Sequence, residues 1–213
     1  MKTDDFAALL AAQVEPVPHH ALWRRFGLTL AAGTALAAAI MLGGYGTRPD
    51  LAQAMGWPMF WVKLMFPLCV AVPALVMVQR LGRPGMRLRR VWLLALLPVL
   101  AVWAMGLHAW VTMPQEARMP ALMGQTWRSC AFSIGLISLP VFIAALLALR
   151  GLAPTRPALA GAAAGALAGG TGATLYALHC PELTAPFLAV WYVLGMALPV
   201  AAGALLGPRL LRW

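Results

Sequence analysis

VWLLALLPVLAVWAMGLHAWV, residues 91–111, runs for 21 positions without a charged side chain. At a rise of 1.5 Å per residue a helix of that length covers about 30 Å, the thickness of a bilayer's hydrocarbon core. Five further stretches read the same way. Together the spans are Phe26 to Tyr45, Met59 to Val78, Val91 to Val111, Cys130 to Leu149, Ala158 to Leu178 and Phe187 to Leu206. The 213-residue chain is 62% hydrophobic and 10% charged, a balance that a soluble domain of this size does not show. The expected fold class is therefore all-α: a polytopic membrane protein with six transmembrane helices over 26–206, an N-terminal tail over 1–25 and a short C-terminal tail over 207–213. Too little chain lies between the spans for a soluble catalytic domain. Activity has to come from the bundle, its faces or the tail.

The formal net charge of +10 would suit a nucleic-acid binder, but its distribution argues against direct nucleic-acid contact. Twelve of the 16 basic residues share one side of the membrane: Lys2, Arg24, Arg25, five in the stretch 79–90, Arg150, Arg156, Arg209 and Arg212. Arg48, Arg118 and Arg128 lie on the other side. The positive-inside rule then expects both termini in the cytoplasm, at the inner (plasma) membrane of a bacterium. The opposite loops would face an oxidising compartment. Arg24-Arg25 ahead of an apolar run looks like a twin-arginine signal, yet five further spans favour an uncleaved first helix. Lys63, near the outer end of the second span, reads as a snorkelling anchor.

In the tail, Thr3 can cap a short helix whose first turn carries Asp4 and Asp5. Phe6, Leu9, Leu10 and Val14 recur at offsets of three and four, and Pro16 and Pro18 end it. A helix of about ten residues is marginal alone in water, so the stripe needs a surface to lie on. Anionic lipid would repel Asp4, Asp5 and Glu15, which favours a protein partner over the leaflet. Asp5, Phe6, Leu9 and Leu10 are the expected contact.

TLYALHCPE, residues 174–182, ends the fifth span and sets His179 beside Cys180 where the apolar residues give out. Cys130 opens the fourth span, and the connection over 150–157 is short. The two helices should be antiparallel neighbours with both sulfurs at one face, where a membrane helix meets water. Two such thiols can bind a soft metal ion such as copper transiently or join as a disulfide, and the residues leave both open. His179 is the expected additional donor and His108, near the outer end of the third span, a further candidate. Cys69 lies in mid-span and reads as packing. The outer loop with Met113, Met119 and Met123 offers thioethers that serve equally as space fillers. Gly161, Gly165 and Gly169 recur every fourth residue, a small-residue ridge expected to seat another helix closely.

Several segments together resemble the NrsF family, the negative regulators of sigma-F. They are Met1-Lys2-Thr3-Asp4-Asp5, Arg48-Pro49-Asp50-Leu51, Ala153-Pro154-Thr155-Arg156-Pro157, the block from Ala173 to Glu182 and the ending from Gly207 to Trp213. The most specific parts are His179-Cys180-Pro181-Glu182 and the paired placement of Cys130 and Cys180. The resemblance implies a six-helix membrane anti-sigma factor that retains an extracytoplasmic-function sigma factor and releases it under metal or oxidative stress, with Cys130 and Cys180 as the sensing cysteines. Membrane lipid is the other expected partner; no small-molecule substrate, catalytic residue or required cofactor is implied.

The alternative is a small membrane thiol or haem redox protein. Thiol enzymes use closely spaced cysteine pairs, and no Cys-x-x-Cys is present; haem would need facing histidines, for which His108 and His179 are one such pair. A transporter would line its path with ionisable residues deep in the spans, and these are nearly absent.

Overall fold

The computed structural model describes residues 5, 21–83, 85–86, 88–152 and 154–212. Asp5 is exposed. Phe6, Leu9 and Leu10, the rest of the expected partner contact, lie outside the described residues.

In an apolar setting every backbone N–H and C=O must be satisfied within the chain, so runs of this composition fold as helices. Helix α1 spans Ala21–Ile40 and continues through a π turn, Met41–Tyr45. Next come α2 (Pro58–Leu81), α3 (Val91–Thr112), α4 (Trp127–Arg150) and α5 (Pro157–Tyr176). Helix α6 (Ala185–Leu210) contains a second π turn at Leu188–Tyr192. Among the described residues these six helices are long and apolar enough to cross a membrane, as a multi-pass protein requires. Pro58 and Pro157 sit in first turns, where the missing N–H costs nothing. The methionine-bearing stretch read as a loop is instead helical over Gln115–Met123. It is tied down by Thr184 Oγ1 donating to Ala121 O (2.6 Å) and Trp191 Nε1 donating to Leu122 O (2.9 Å).

Helix α5 is the axis of the bundle. It packs on α6, α2 and α4, while α1 lies on α4, and α3 lies against α2 and the start of α6. Glycine makes this possible. A Cβ on Gly161 or Gly165 would run into the carbonyls of Gly203 and Pro199, and one on Gly169 would come 2.8 Å from Met196 O. Gly170 faces Pro67 O of α2, and Gly172 faces Ser138 of α4. One helix thus comes within direct reach of the backbones of three neighbours, and packing at that distance replaces a hydrophobic drive that lipid does not supply.

The antiparallel course of the helices sorts the polar residues into two ends. The arginine end carries the stretches around residues 80–90 and 150–156. The thiol end carries Arg48, Lys63, residues 124–130 and the turn after α5.

Candidate functional site

Helix α5 ends at Tyr176, and the chain turns through Ala177 and Leu178 into an irregular strap, residues 179–184, before α6 begins. Cys180 N–H donates to Tyr176 O (3.0 Å), which directs its side chain into the bundle. Cys130, in the first turn of α4, lies in the same buried cluster, and the two thiols are close enough to act on each other electrostatically. Both are fully buried and unoxidised. Thr126 Oγ1 lies 3.9 Å from Cys180 Sγ. The expectation that the sulfurs lie where helices meet water needs correcting: the strap and its partners close over them.

Those partners come from every side. Lys63 of α2 is wholly buried, and its ammonium donates to the carbonyls of Cys180 and Glu182, the latter at 2.8 Å. The ring of Tyr192 lies 5.4 Å from the same nitrogen. Lys63 is therefore no snorkelling anchor. The Cys180–Glu182 strap presents two carbonyls that need donors, and these draw the side chain inward. Arg48 pairs with Asp50 through two bonds (2.7 and 2.8 Å), reaches Cys180 O at 3.5 Å, and donates its N–H to Leu178 O (3.0 Å).

The Glu182 side chain turns to α4. Its carboxylate accepts from Gln125 N–H (2.6 Å) and Thr126 N–H (3.3 Å), satisfying donors that the start of α4 leaves over. Gly124 makes the approach possible: its φ is +54°, and a Cβ there would overlap the Glu182 carboxylate.

The two π turns also serve this end. The first delivers Tyr45 against His179 and Tyr176, and the second delivers Tyr192 against Tyr176 and Lys63. The Tyr192 hydroxyl is buried beside Cys180 without a hydrogen bond of ordinary geometry. π turns recur at functional sites because the extra residue re-aims a side chain.

His179 does not turn to the sulfurs. Its Nδ1 lies 3.0 Å from Gly46 O, and since a carbonyl only accepts, Nδ1 carries the hydrogen. His108 is exposed on α3. Among the described residues no three of His, Cys, Asp and Glu converge on a point that one ion could occupy, so in this arrangement neither histidine joins the thiol pair. Cys69 is exposed on α2 rather than packed.

The electrostatics favour one sulfur over the other. Hydrogen bonding from the Cys130 thiol, then the charge of Lys63 and the Glu182 backbone N–H, hold the Cys180 thiol below the ordinary thiol range against the opposing effect of burial.

The model of a family described as the negative regulator of sigma F, NrsF, matches residues 10–213. This chain belongs to the NrsF family. A protein named probable anti-sigma-F factor NrsF, from Azospira oryzae, is 45% identical over 213 residues, the whole of both chains. The anti-sigma-F factor NrsF of Caulobacter vibrioides is 42% identical over 218 residues, again the whole of both. No solved structure matches. In this member of the NrsF family, sequence reasoning found the two thiols but not Lys63, Arg48 or Glu182 as the groups that enclose them. The available signal was a lysine inside an apolar span, a residue expensive enough there to require a partner.

Proposed function

We propose that this chain is a membrane-bound anti-sigma factor of the bacterial inner membrane, with both termini in the cytoplasm. It holds an extracytoplasmic-function sigma factor through the tail residues Asp5, Phe6, Leu9 and Leu10, and releases it when the Cys130–Cys180 pair reacts. The observation that carries this reading is full-length similarity to proteins named anti-sigma-F factors. The burial of both thiols in one cluster at the end of the bundle away from the arginines supports a sensing role for that end.

Two chemistries fit the pair. Oxidation would join the two sulfurs, with two electrons passing to the oxidant and two protons released. A soft ion that accepts two thiolates would also fit, and Cys130 and Cys180 would hold it; a closed four-ligand zinc site does not fit the donors present. Either event would disturb the strap that Lys63, Arg48 and Glu182 hold, and through it the packing of α2 and α4 against α5. A ligand can drive release only by favouring the releasing state, and a tenfold preference is worth about 1.4 kcal/mol.

The test is co-purification of the bound partner from native membranes, before and after treatment with copper or the thiol oxidant diamide. Cys130→Ser and Cys180→Ser should each still retain a sigma factor but fail to release it, with the double change no worse than either. Cys69→Ser should behave as the parent. Replacing Leu9 and Leu10 by Asp should abolish retention, because burial of each aliphatic side chain contributes about 1.5–3 kcal/mol. Normal release by either outer-cysteine variant would sink the sensing role. Absence of any sigma factor in the purified material would sink the anti-sigma reading itself.

A further inference from the structure

The arginine end holds a cavity of about 490 Å³ between the α2–α3 turn and the α4–α5 connection. Arg83 and Arg89 line one side and Arg156 with Thr155 the other, over an apolar floor that includes Leu81 and Leu88. Arg80 Nη1 donates to Leu88 O (3.3 Å) and braces the turn. Arg89 has φ +49°, the only non-glycine residue with positive φ among the described residues. Such backbone persists where the surroundings impose it, often at ligand clamps. Helices α3 and α5 begin at Val91 and Pro157, immediately after Arg90 and Arg156, so two helix N-termini add their positive ends to the cavity. Of the six acids, Asp50, Glu116 and Glu182 sit at the thiol end, and the other three, Asp4, Asp5 and Glu15, belong to the N-terminal tail.

A second feature makes the cavity more than a basic patch. Trp92, half exposed, lines it and also lines an apolar groove of about 330 Å³ along the flank of the bundle. The groove passes Leu96 and Val99 of α3, Ala166 of α5, and Ala197 and Val200 of α6. A cationic chamber joined through one tryptophan to an apolar channel has the shape of a lipid: headgroup at one end, hydrocarbon along the other. Tryptophan is the residue that favours that boundary.

We propose that the arginine end is a binding site for one anionic phospholipid, with its phosphate held by Arg83, Arg89 and Arg156 and one acyl chain laid along the groove from Trp92 towards Val200. Guanidinium groups bind phosphate through paired, charge-assisted hydrogen bonds. A zwitterionic choline lipid brings a cation into the same chamber and is disfavoured. The site depends on the chain lying in a membrane and not on what its tail binds.

Native mass spectrometry of the full-length protein, released from micelles holding phosphatidylglycerol and phosphatidylcholine in equal amounts, tests this directly. One phosphatidylglycerol should remain bound per chain, with at least tenfold preference over phosphatidylcholine. Changing Arg83, Arg89 and Arg156 together to Gln should remove the preference. Ala197→Trp, which fills the groove from its exposed side and leaves the arginines intact, should lower retention independently. Glycerol phosphate at hundredfold excess should fail to displace the lipid, because it has no acyl chain to seat. Equal retention of the two lipids, or unchanged retention by both variants, would overturn the site. Displacement by glycerol phosphate would make it a plain phosphate site, and displacement by a glutamate-rich peptide would make it a protein contact; either defeats the proposal.

Discussion

Lys63 and Glu182 stand 119 positions apart in the chain, yet the buried ammonium of the one donates to the backbone carbonyl of the other at 2.8 Å. The same ammonium holds Cys180 O. A charge hidden in an apolar bundle is tolerated only when its hydrogens are used, and here they fasten the strap between α5 and α6 to the side of α2.

Lys63→Met keeps most of the side-chain volume and removes every donor. The Glu182 carbonyl then loses its donor and the Cys180 carbonyl keeps only the long contact with Arg48 (3.5 Å), at a cost of about 1–3 kcal/mol for each bond lost. We expect a clearly lower thermal midpoint in detergent, read by helical circular dichroism. A midpoint equal to the parent's would mean that the strap does not depend on this residue.

Glu182 and Gly124 should show coupled effects. Glu182→Ala removes the acceptor that serves Gln125 and Thr126, worth about 1 kcal/mol by analogy with helix caps. Gly124→Ala places a methyl group against the carboxylate at a backbone angle that suits glycine. In the double variant the clash has gone, so the combined loss of stability should be smaller than the sum of the single losses. Strict additivity in chemical-denaturation curves would contradict the contact.

The thiol pair should close readily. Diamide is expected to convert Cys130 and Cys180 to one intramolecular disulfide, visible as a loss of two hydrogens by intact mass and as one cross-linked peptide pair after digestion. Cys69 should remain a free thiol. Cross-linked peptides containing Cys69 would place the helices differently.

The Arg48–Asp50 pair sets an acid limit. The hydrogen bond from Arg48, reinforced by its charge, holds the Asp50 carboxyl below the ordinary aspartate range of about 3.9. A depressed carboxylate stabilises the fold fully above its unfolded value, and that contribution is lost as pH falls through the folded value. The midpoint difference between the parent and Asp50→Asn should therefore be constant above about pH 5 and shrink below about pH 4. A difference that grows on acidification would reverse the assignment.

Gly165→Leu should be the most damaging change in the bundle, since its Cβ alone would meet the backbone of Pro199 and Val200. Gly135→Ala is the control: the added methyl would lie 3.7 Å from Leu198 Cδ1, ordinary contact. We expect little folded protein from the first and near-parent melting from the second. Equal yields would show that the backbones separate without cost.

Hydropathy alone placed all six helices to within a few residues, because apolar length is a property of the local chain. The meeting of Cys130 and Cys180 was also within reach, since a short connection forces adjacent helices to run antiparallel. The enclosure of the sulfurs was not. It depends on Lys63 bonding to backbone carbonyls, which have no residue identity to read, and on two π turns that carry no fixed motif. The helix over Gln115–Met123 was missed for a related reason: its anchors are a threonine and a tryptophan more than 60 positions away.

The close seating of α5 on α6 poses a problem of alignment. Glycines that recur every fourth residue would match one another again if one helix slid along the other by four residues, about 6 Å. A ridge without side chains has little to stop that slide. What does stop it lies where the repeat breaks: Pro199 stands opposite Gly165 and Met196 opposite Gly169, and Tyr192 one turn beyond is held under Lys63. The polar cluster around the sulfurs thus acts as a vernier for the whole helix pair, selecting one alignment from several that the glycines alone would accept.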